Sequence, residues 1–417
     1  MSQASRILIA LVVGLIAGIA LAAFAAQAVD PTIAFAQPIG TAWLNALQMT
    51  VVPLVVALLI TGVAATAHAA QAGRLAGRAI GLYVAMLGAS ALAAGILTPV
   101  FLRIVPIPAE SAASLRAALP GIAAIPPAPP LGTFLAGIVP NNVIKAASEN
   151  AFLSLILFAL VFAFAMTRID QRGRDLLTGF FTAVRDTMLV VIEWVLWIAP
   201  IGVFALAIVV GARAGTGAFG ALIHYILCIC AVGIVVSLAA YPIAVFGGRT
   251  GLRDYARAVL PSQAVAISTQ SSIASLPAML EGATTLGVPI ATSGVTLPLA
   301  VAIFRATGPA MNFAVAIYVA QWFGVALTPA TLAIGIVVAT LTSLGSVSLP
   351  GTISYVSAIA PIASAIGAPV APLGLLVAVE TIPDIIRTVG NVMMDLATTL
   401  TLSRRGSTPE PMASPPD

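Results

Sequence analysis

The sequence predicts an all-α integral membrane protein with eight transmembrane helices and two re-entrant helical hairpins. Hydrophobic residues make up 60% of the 417 residues and charged residues only 8%, whereas a soluble domain is typically about 25% charged. Apolar runs of about 20 residues recur along the chain, and each can cross a hydrocarbon core about 30 Å thick as a helix. Two further apolar stretches are interrupted by polar clusters, which indicates hairpins.

Eight apolar segments account for the predicted crossings. They cover residues 7–29, 39–68, 76–104, 133–167, 187–210, 217–247, 290–326 and 371–403. The first segment follows Arg6 and contains the small-residue stretch AAFAA at 22–26, a pattern also typical of a cleavable signal peptide. Because the run is near spanning length, and a multispan protein can insert without a removable signal, we interpret it as the first transmembrane helix.

The two predicted hairpins cover residues 255–288 and 331–368. Polar clusters interrupt their apolar sequence, STQSS at 268–272 and TSLGSVS at 342–348. Lipid offers no hydrogen-bond partners to the backbone, so irregular segments occur at membrane depth only where protein or a polar cavity surrounds them. We therefore expect both segments to turn back inside the protein and to line a polar cavity.

The distribution of basic residues predicts that both termini are cytoplasmic. The expected location is a cell inner membrane of the bacterial type. The predicted cytoplasmic segments contain Arg6, Arg74, Arg78, Arg168, Arg172, Arg174, Arg249, Arg253, Arg257, Arg404 and Arg405. The opposite side contains Arg103, Arg116, Lys145 and Arg213. The net charge of +4 therefore reports orientation and does not indicate a nucleic-acid partner. The proline-rich stretch 106–130 is predicted to be an external connector, and 404–417 a disordered tail.

The cysteines and histidines indicate no metal site. Cys228 and Cys230 are two residues apart in an apolar run, so a helix places them on different faces. His68 and His224 are single and distant in sequence, and we interpret them as helix-end or interfacial residues. The sequence therefore predicts no prosthetic cofactor. Membrane lipid is an expected partner because the chain is predicted to span the membrane.

The last predicted span contains a polar stripe with a spacing of three or four residues. The stripe consists of Glu380, Asp384, Arg387, Asn391 and Asp395, and Thr388 borders it. At about 100° per residue these side chains share one helix face. An ionisable group at the centre of a membrane helix costs about 2.5–3.5 kcal/mol, and such groups are usually retained for ion or substrate contact. The alternative is that Asp384 and Arg387 neutralise each other to join helices.

Several short motifs occur in a characteristic order along the chain. They are MTVVPL at 49–54, IVPNN at 138–142, Ser271 and Ser272 with LP at 276–277, LPL at 297–299, SLGS at 343–346 with Pro350 and Gly351, and the stripe from Asp384 to Asp395. In this order and spacing they resemble the dicarboxylate/amino acid:cation symporter family, which includes glutamate, aspartate and neutral amino acid carriers. The resemblance implies a secondary transporter that works by alternating access, and not an enzyme.

The resemblance also implies a domain organisation and an oligomeric state. Scaffold helices 1 and 2 would occupy 1–75, transport helix 3 and the external connector 76–132, and scaffold helices 4 and 5 133–216. The transport domain would continue over 217–403, with helix 6, the first hairpin, helix 7, the second hairpin and helix 8. Family members of this kind form trimers, so the resemblance implies a homotrimer with substrate bound near the middle of the membrane.

Substrate-binding roles follow from the resemblance, one residue at a time. Ser271 and Ser272 match the first-hairpin tip that receives the main carboxylate of the substrate. Arg387 matches the arginine that pairs with the second carboxylate, and Asp384 matches the acceptor of the α-amino group. Further predicted substrate contacts are Thr388, Asn391 and, in the second hairpin that resembles the gate, Ser346, Pro350 and Gly351. These matches favour aspartate or glutamate as the substrate.

The ion-binding region departs from the pattern of sodium-coupled members. Their motif N-M-D-G-T is replaced by FRATG at 304–308, which places Arg305 in that region. Tyr83 is kept, but Met86 and Leu87 replace a nearby hydroxyl pair. Gln270 stands in the first hairpin where arginine is frequent, and Ile353 stands in the second where a small glycine is common.

These departures predict that one sodium site is lost and that Arg305 acts as a tethered cation. Asp395 resembles a sodium-ligand carboxylate and, with Asn391, remains a candidate for residual sodium binding. Glu380 and Asp395 are candidate proton carriers, and Tyr83 and Ser343 complete the predicted ion-coupling residues. The sequence therefore predicts weakened sodium coupling, with proton coupling or exchange in its place.

Three alternatives remain open from the sequence. The protein could be a sodium-coupled symporter of four-carbon dicarboxylates or of another amino acid. Polar hairpins could also line a substrate-gated anion channel. An intramembrane enzyme that uses Asp384 or Asp395 is disfavoured, because no nucleophile or metal constellation accompanies them. No G-x-x-x-x-G-K-[ST] motif is present, which disfavours an ATP-driven pump.

Overall fold

The computed structural model describes residues 3–71, 74–108, 112–113, 139–215, 217–345 and 351–406. Within these ranges the chain forms helices and no strand. The helices are α1 Gln3–Phe24, α2 Val29–Gln71, α3 Arg74–Ile104, α4 Val143–Ser148, α5 Phe152–Met166, α6 Gln171–Trp197, α7 Ala199–Ala214, α8 Gly217–Leu238, α9 Leu252–Thr269, α10 Leu276–Thr285, α11 Ile290–Ile303, α12 Thr307–Trp322, α13 Pro329–Gly345, α14 Gly351–Ala365 and α15 Thr381–Gly406. Short helical turns at Ala240–Pro242, Ile243–Gly247, Leu373–Leu376 and Val377–Val379 link some of them.

Five stretches of the described chain are helical, long and apolar enough to cross a membrane. They are Ser5–Phe24, Ala26–Ala67, Arg74–Ile104, Ala218–Gly247 and Ile290–Trp322. Helices α6 and α7 form a sixth if the pair is counted as one span bent by 55°. A multi-pass membrane protein is thus confirmed, whereas the count of eight crossings remains a prediction. The predicted span 371–403 is not among these apolar helices, because its helix, α15, carries the charged stripe.

The span predicted over 187–210 falls on the bent pair of α6 and α7. Helix α6 begins earlier, at Gln171, where the Asp170 carboxylate accepts a hydrogen bond from the Gly173 amide at 3.0 Å. Such an N-cap satisfies an amide that has no partner within the helix. A proline stands in the first turn of α7. Its missing N–H cannot continue the backbone hydrogen bonds of α6, whereas α7 loses no hydrogen bond because the first turn of a helix does not use that N–H.

Two helix pairs occupy the positions of the predicted hairpins. Helices α9 and α10 pack against each other, as do α13 and α14. Helix α9 ends at Thr269, and the next residue, Gln270, has a left-handed backbone with φ 51° and an amide that donates to the Ala266 carbonyl oxygen. The connection between α13 and α14 at 346–350 lies outside the described residues. The re-entrant course of both pairs remains a prediction.

The predicted span 290–326 is broken where the sequence departs from the sodium-coupled pattern. Helix α11 ends at Ile303 and α12 begins at Thr307. The ring of Phe304 stacks on Tyr83 of α3, with centroids 4.5 Å apart, and the Ser90 hydroxyl donates to the Ala306 carbonyl oxygen. Fifteen of the 16 residues of α12 are buried. The break therefore lies inside the protein.

Helices from both halves of the chain surround this break. Helix α3 packs on α12 and α13, and α15 packs on α8, α9 and α11. Helices α1 and α7 pack closely against each other, and a Cβ added at Gly211 would lie 3.1 Å from the Leu15 Cα. These contacts place α15 in the interior. The division into scaffold and transport domains remains a prediction.

Candidate functional site

All five members of the polar stripe are buried. Glu380 lies directly before α15, and Asp384, Arg387, Asn391 and Asp395 follow along that helix. Their exposed fractions range from 0% for Glu380 and Asp395 to 4% for Arg387. A buried charge is costly unless it is paired and hydrogen-bonded. The stripe therefore needs compensating contacts from within the protein or from a ligand.

Arg387 is paired on one side and has no hydrogen-bond partner on the other. Its Nη1 donates to the Glu380 carboxylate and to Asp384 Oδ1, the latter at 3.2 Å. Among the described residues, nothing accepts a hydrogen bond from its buried Nε and Nη2. The pairing of Asp384 with Arg387 that the sequence left as an alternative is thus present. The Nε–Nη2 edge is nonetheless available, and that edge suits bidentate binding of a carboxylate.

A small pocket brings Arg387 together with Arg305. It is lined by Arg305 from the break, by Asn312 of α12, by Ser343 of α13, by Ser354 and Tyr355 of α14, and by Arg387. Its cavity volume is about 10 Å³, enough for about one water molecule. The pocket is therefore closed in this structure, and a larger ligand requires that its walls move.

Thr307 ties the break to α15. Its backbone amide donates to Asn391 Oδ1 at 3.0 Å, and its hydroxyl lies 2.7 Å from both Asn391 Oδ1 and the Arg387 carbonyl oxygen. A hydroxyl has one hydrogen to donate, so it bonds one of these acceptors at a time. The contact engages Asn391 Oδ1, the amide oxygen on which the predicted residual sodium site depends.

Asp395 is a fully buried carboxylate of the stripe. Neither of its oxygens has a hydrogen-bond partner among the residues that the structure describes. Arg305 acts on it electrostatically and also on Asp384. A buried carboxylate without hydrogen bonds favours a nearby cation or a proton, and the role of Asp395 in ion coupling stays a prediction. Across the described ranges, no group of three or more His, Cys, Asp or Glu side chains could hold a metal ion.

The other predicted ion-coupling residues have structural contacts. The Tyr83 hydroxyl donates to the Thr296 carbonyl oxygen at 2.9 Å, next to the ring contact with Phe304. Ser343 lines the pocket, and its hydroxyl donates to the Ala339 carbonyl oxygen at 2.8 Å. Tyr83 therefore holds α3 against α11, whereas Ser343 lies beside the two arginines.

The predicted substrate contacts outside the stripe are dispersed. Ser271 accepts a hydrogen bond from the Ala274 amide at 3.2 Å, and Ser272 is buried; neither is among the described residues that line the pocket. The Thr388 hydroxyl donates to the Asp384 carbonyl oxygen at 2.8 Å. Gly351 begins α14. Ser346 and Pro350 lie outside the described residues, so their roles remain predictions.

Sequence reasoning missed Tyr355, which lines the pocket, and its hydrogen-bond partner Tyr225. The Tyr355 hydroxyl lies 2.7 Å from that of Tyr225 on α8, and both residues are buried. Tyr225 also packs edge-on against Tyr318, with ring centroids 5.3 Å apart. The pair joins the second helix pair to α8. Tyr225 and Tyr355 are 130 residues apart, and neither stands in a motif that would have identified them.

Comparison with known proteins identifies the family of this chain. The family model of the sodium:dicarboxylate symporter family matches residues 4–405. The chain is 29% identical to the proton/sodium-glutamate symport protein of Bacillus subtilis (strain 168), over 96% of this chain and 92% of that protein. It is 26% identical to the proton/glutamate-aspartate symporter of Escherichia coli (strain K12), over 97% and 92%.

A dicarboxylate carrier is also similar. The C4-dicarboxylate transport protein of Paracidovorax citrulli (strain AAC00-1) is 25% identical, over 88% of this chain and 81% of that protein. The family match covers nearly all of the chain, including the broken span, both helix pairs and the buried stripe. The protein is therefore a multi-pass membrane transporter that belongs to the sodium:dicarboxylate symporter family.

Proposed function

We propose that this protein carries an acidic amino acid, aspartate or glutamate, across the membrane by alternating access, with Arg305 in the place of a bound sodium ion. The observation that carries the proposal is the unpaired Nε–Nη2 edge of Arg387, buried in a pocket that Arg305 also lines. An unused charged donor pair in a desolvated site favours a carboxylate ligand. The names of two relatives, a glutamate and a glutamate-aspartate symporter, support this substrate class.

Substrate recognition would divide among three groups. Arg387 binds the side-chain carboxylate, Asp384 accepts the α-amino group, and the turn at Ser271 and Ser272 receives the main carboxylate. Because the pocket has room for about one water molecule, part of its wall must move before substrate binds, and we propose that α13 and α14 move. This movement would make the second helix pair the gate.

The charge balance of the site supports a tethered cation. Three buried carboxylates, Glu380, Asp384 and Asp395, face two guanidinium groups, Arg305 and Arg387. If all five are ionised, 2 − 3 leaves one net negative charge, and without Arg305 the site would carry two. An acidic substrate adds a further negative charge. We therefore propose that a proton, carried by Glu380 or Asp395, accompanies the substrate, or that transport is an exchange.

A four-carbon dicarboxylate is the second candidate substrate. Two guanidinium groups line one pocket, which suits two carboxylates, and Asp384 already contacts Arg387. The dicarboxylate carrier among the relatives supports this candidate. Stronger binding of succinate than of aspartate to purified protein would favour it, because succinate lacks the amino group that Asp384 is proposed to accept.

The membrane arrangement is proposed on sequence grounds. Eleven arginines in the predicted cytoplasmic segments, against four basic residues opposite, support cytoplasmic termini. A homotrimer in a bacterial-type inner membrane follows from the family resemblance. Saturable substrate uptake without a matching conductance would argue against the alternative of a substrate-gated anion channel.

The test is a titration of aspartate affinity against sodium at constant ionic strength, with purified wild type and Arg305→Met. We expect the wild type to bind aspartate without sodium, and Arg305→Met to lose affinity or to become sodium-dependent. Arg305→Lys is the matched control, since it keeps the positive charge and should retain sodium-independent binding. A steep sodium dependence of the wild type, or full affinity in Arg305→Met, would contradict the proposal.

A further inference from the structure

Asn312 is a buried residue of α12 whose side-chain amide lies in the pocket beside Arg387. Residues 308–317 of that helix are otherwise apolar, and Asn312 is only 8% exposed. Its side chain lines the pocket, and no group of the described chain forms a hydrogen bond with its side-chain amide. A buried polar group without a partner is unfavourable, so this amide favours contact with a ligand. The substrate and ion contacts proposed above do not include it.

The other neutral hydrogen-bonding side chains of the pocket are Ser343, Ser354 and Tyr355. The Ser343 hydroxyl donates to a carbonyl oxygen of its own helix, and the Tyr355 hydroxyl contacts that of Tyr225. Ser354 lies on α14, which is proposed to move with α13 when the pocket opens. Asn312 is therefore the neutral donor of the pocket that is not engaged elsewhere and does not belong to the moving helix pair.

Contacts between α12 and α15 keep Asn312 beside Arg387. The two helices pack against each other, and Thr307, at the start of α12, contacts both Asn391 Oδ1 and the Arg387 carbonyl oxygen. The side chains of Asn312 and Arg387 line the same pocket. A movement of α13 and α14 therefore leaves these two side chains together in one site.

A carboxylate bound to Arg387 needs more donors than the arginine supplies. The two carboxylate oxygens offer about four lone-pair sites, and the Nε–Nη2 edge of Arg387 donates two hydrogen bonds. The pocket has room for about one water molecule, so water supplies few of the remaining donors. The Nδ2 of Asn312 carries two hydrogens and adds a donor without a further charge.

We propose that Asn312 Nδ2 donates a hydrogen bond to the substrate carboxylate that Arg387 binds. The assignment rests on the proposed function, in particular on an acidic substrate at Arg387. A hydrogen bond to an ionised acceptor is about twice as strong as one between neutral groups, so Asn312 favours a carboxylate over an amide at this position. Asn312 is then a specificity-determining residue for the side chain of the substrate.

The test compares equilibrium binding of aspartate and of asparagine to purified wild type, Asn312→Asp and Asn312→Leu. Asn312→Asp keeps the side-chain shape but places a negative charge beside the substrate carboxylate, and it can accept a hydrogen bond from the asparagine side chain. We expect aspartate affinity to fall about tenfold or more in both variants. Asparagine affinity should fall less in Asn312→Leu and should be retained or increased in Asn312→Asp.

Gln321→Glu is the matched control for the introduced charge. Gln321 is an exposed amide of the same helix and is not among the described residues that line the pocket. This variant should leave both affinities unchanged. If Asn312→Asp does not fold, Asn312→Ala tests the same contact, with an expected loss of about tenfold for aspartate and a smaller loss for asparagine.

Two results would overturn the assignment of Asn312 alone. One is aspartate affinity that the Asn312 variants leave unchanged, and the other is an equal loss for aspartate and asparagine, which would indicate a packing role. Wild type that prefers succinate would refute the amino acid as substrate, and succinate with its monoamide would then replace aspartate and asparagine in the same comparison. Wild type that binds neither acid would overturn the proposed function and this assignment together.

Discussion

Helices α6 and α15 have similar lengths and both carry ionisable side chains, but the protein treats these charges differently. In α6 the ion pair of Arg185 and Asp186 has side chains that are 24% and 57% exposed. In the α15 region the pair of Arg387 and Glu380 has side chains that are 4% and 0% exposed. Surface pairs contribute about 0–1 kcal/mol, whereas removal of one partner from a buried pair costs about 3–5 kcal/mol.

The difference teaches how a membrane protein separates surface charge from site charge. Side chains on the first part of α6 can reach water or lipid headgroups, so their charges need few compensating contacts within the protein. The α15 charges are surrounded by α8, α9, α11 and the break before α12. The fold accommodates these buried charges because they neutralise one another. The Nε–Nη2 edge of Arg387 then remains for a ligand.

The largest effect expected from this comparison is that of Arg387→Ala. The substitution removes the carboxylate-binding edge and leaves Glu380 and Asp384 without their shared cation. We expect aspartate affinity to fall by about 100-fold or more, equivalent to about 3 kcal/mol, with a smaller loss for neutral amino acids. Equilibrium binding of radiolabelled aspartate measures it. Arg172→Ala in α6 is the control for charge removal, and equal affinities in the two variants would refute the distinction between the helices.

A middle-sized effect is expected for Thr307→Val, which keeps side-chain shape but removes the hydroxyl between the break and α15. Loss of one buried hydrogen bond costs about 1 kcal/mol, so aspartate affinity should fall about fivefold. Thr401→Val removes a buried hydroxyl at the other end of α15, where it bonds the Ala397 carbonyl oxygen at 2.9 Å. Both variants should lower the melting temperature, but only Thr307→Val should weaken binding. Weakened binding in both would show that general stability, and not the tie at Asn391, is responsible.

The smallest effect is expected for Tyr355→Phe, which removes the hydroxyl contact with Tyr225 while the ring stays in the pocket wall. Without that contact the second helix pair should open more readily, so aspartate should dissociate a few times faster, for a hydrogen bond of about 1 kcal/mol. Stopped-flow release of labelled aspartate reports the rate. Tyr318→Phe is the control, since its hydroxyl contacts His224 at 3.0 Å and not the pocket residues. An unchanged rate in Tyr355→Phe would exclude a role for this contact in closure.

Much of the molecule was readable from the sequence because the relevant signals are local. Low charge and long apolar runs determined the membrane class. Spacing of three and four residues placed Asp384, Arg387, Asn391 and Asp395 on one helix face, and the structure confirms that they share α15. The order of the motifs identified the family, which the family match confirms. The roles of the individual site residues stay predictions.

What the tertiary structure decided involves residues far apart in the chain and the depth at which they lie. Helical periodicity states which side chains share a face, but it does not state what packs against that face. Only the packing of the broken span on α15 brings Thr307 to Asn391, 84 residues away, and only the fold brings Tyr225 to Tyr355. Burial likewise distinguishes Arg387 from Arg185. The electrostatic energy between a guanidinium and a carboxylate is small beside water and large where water is excluded.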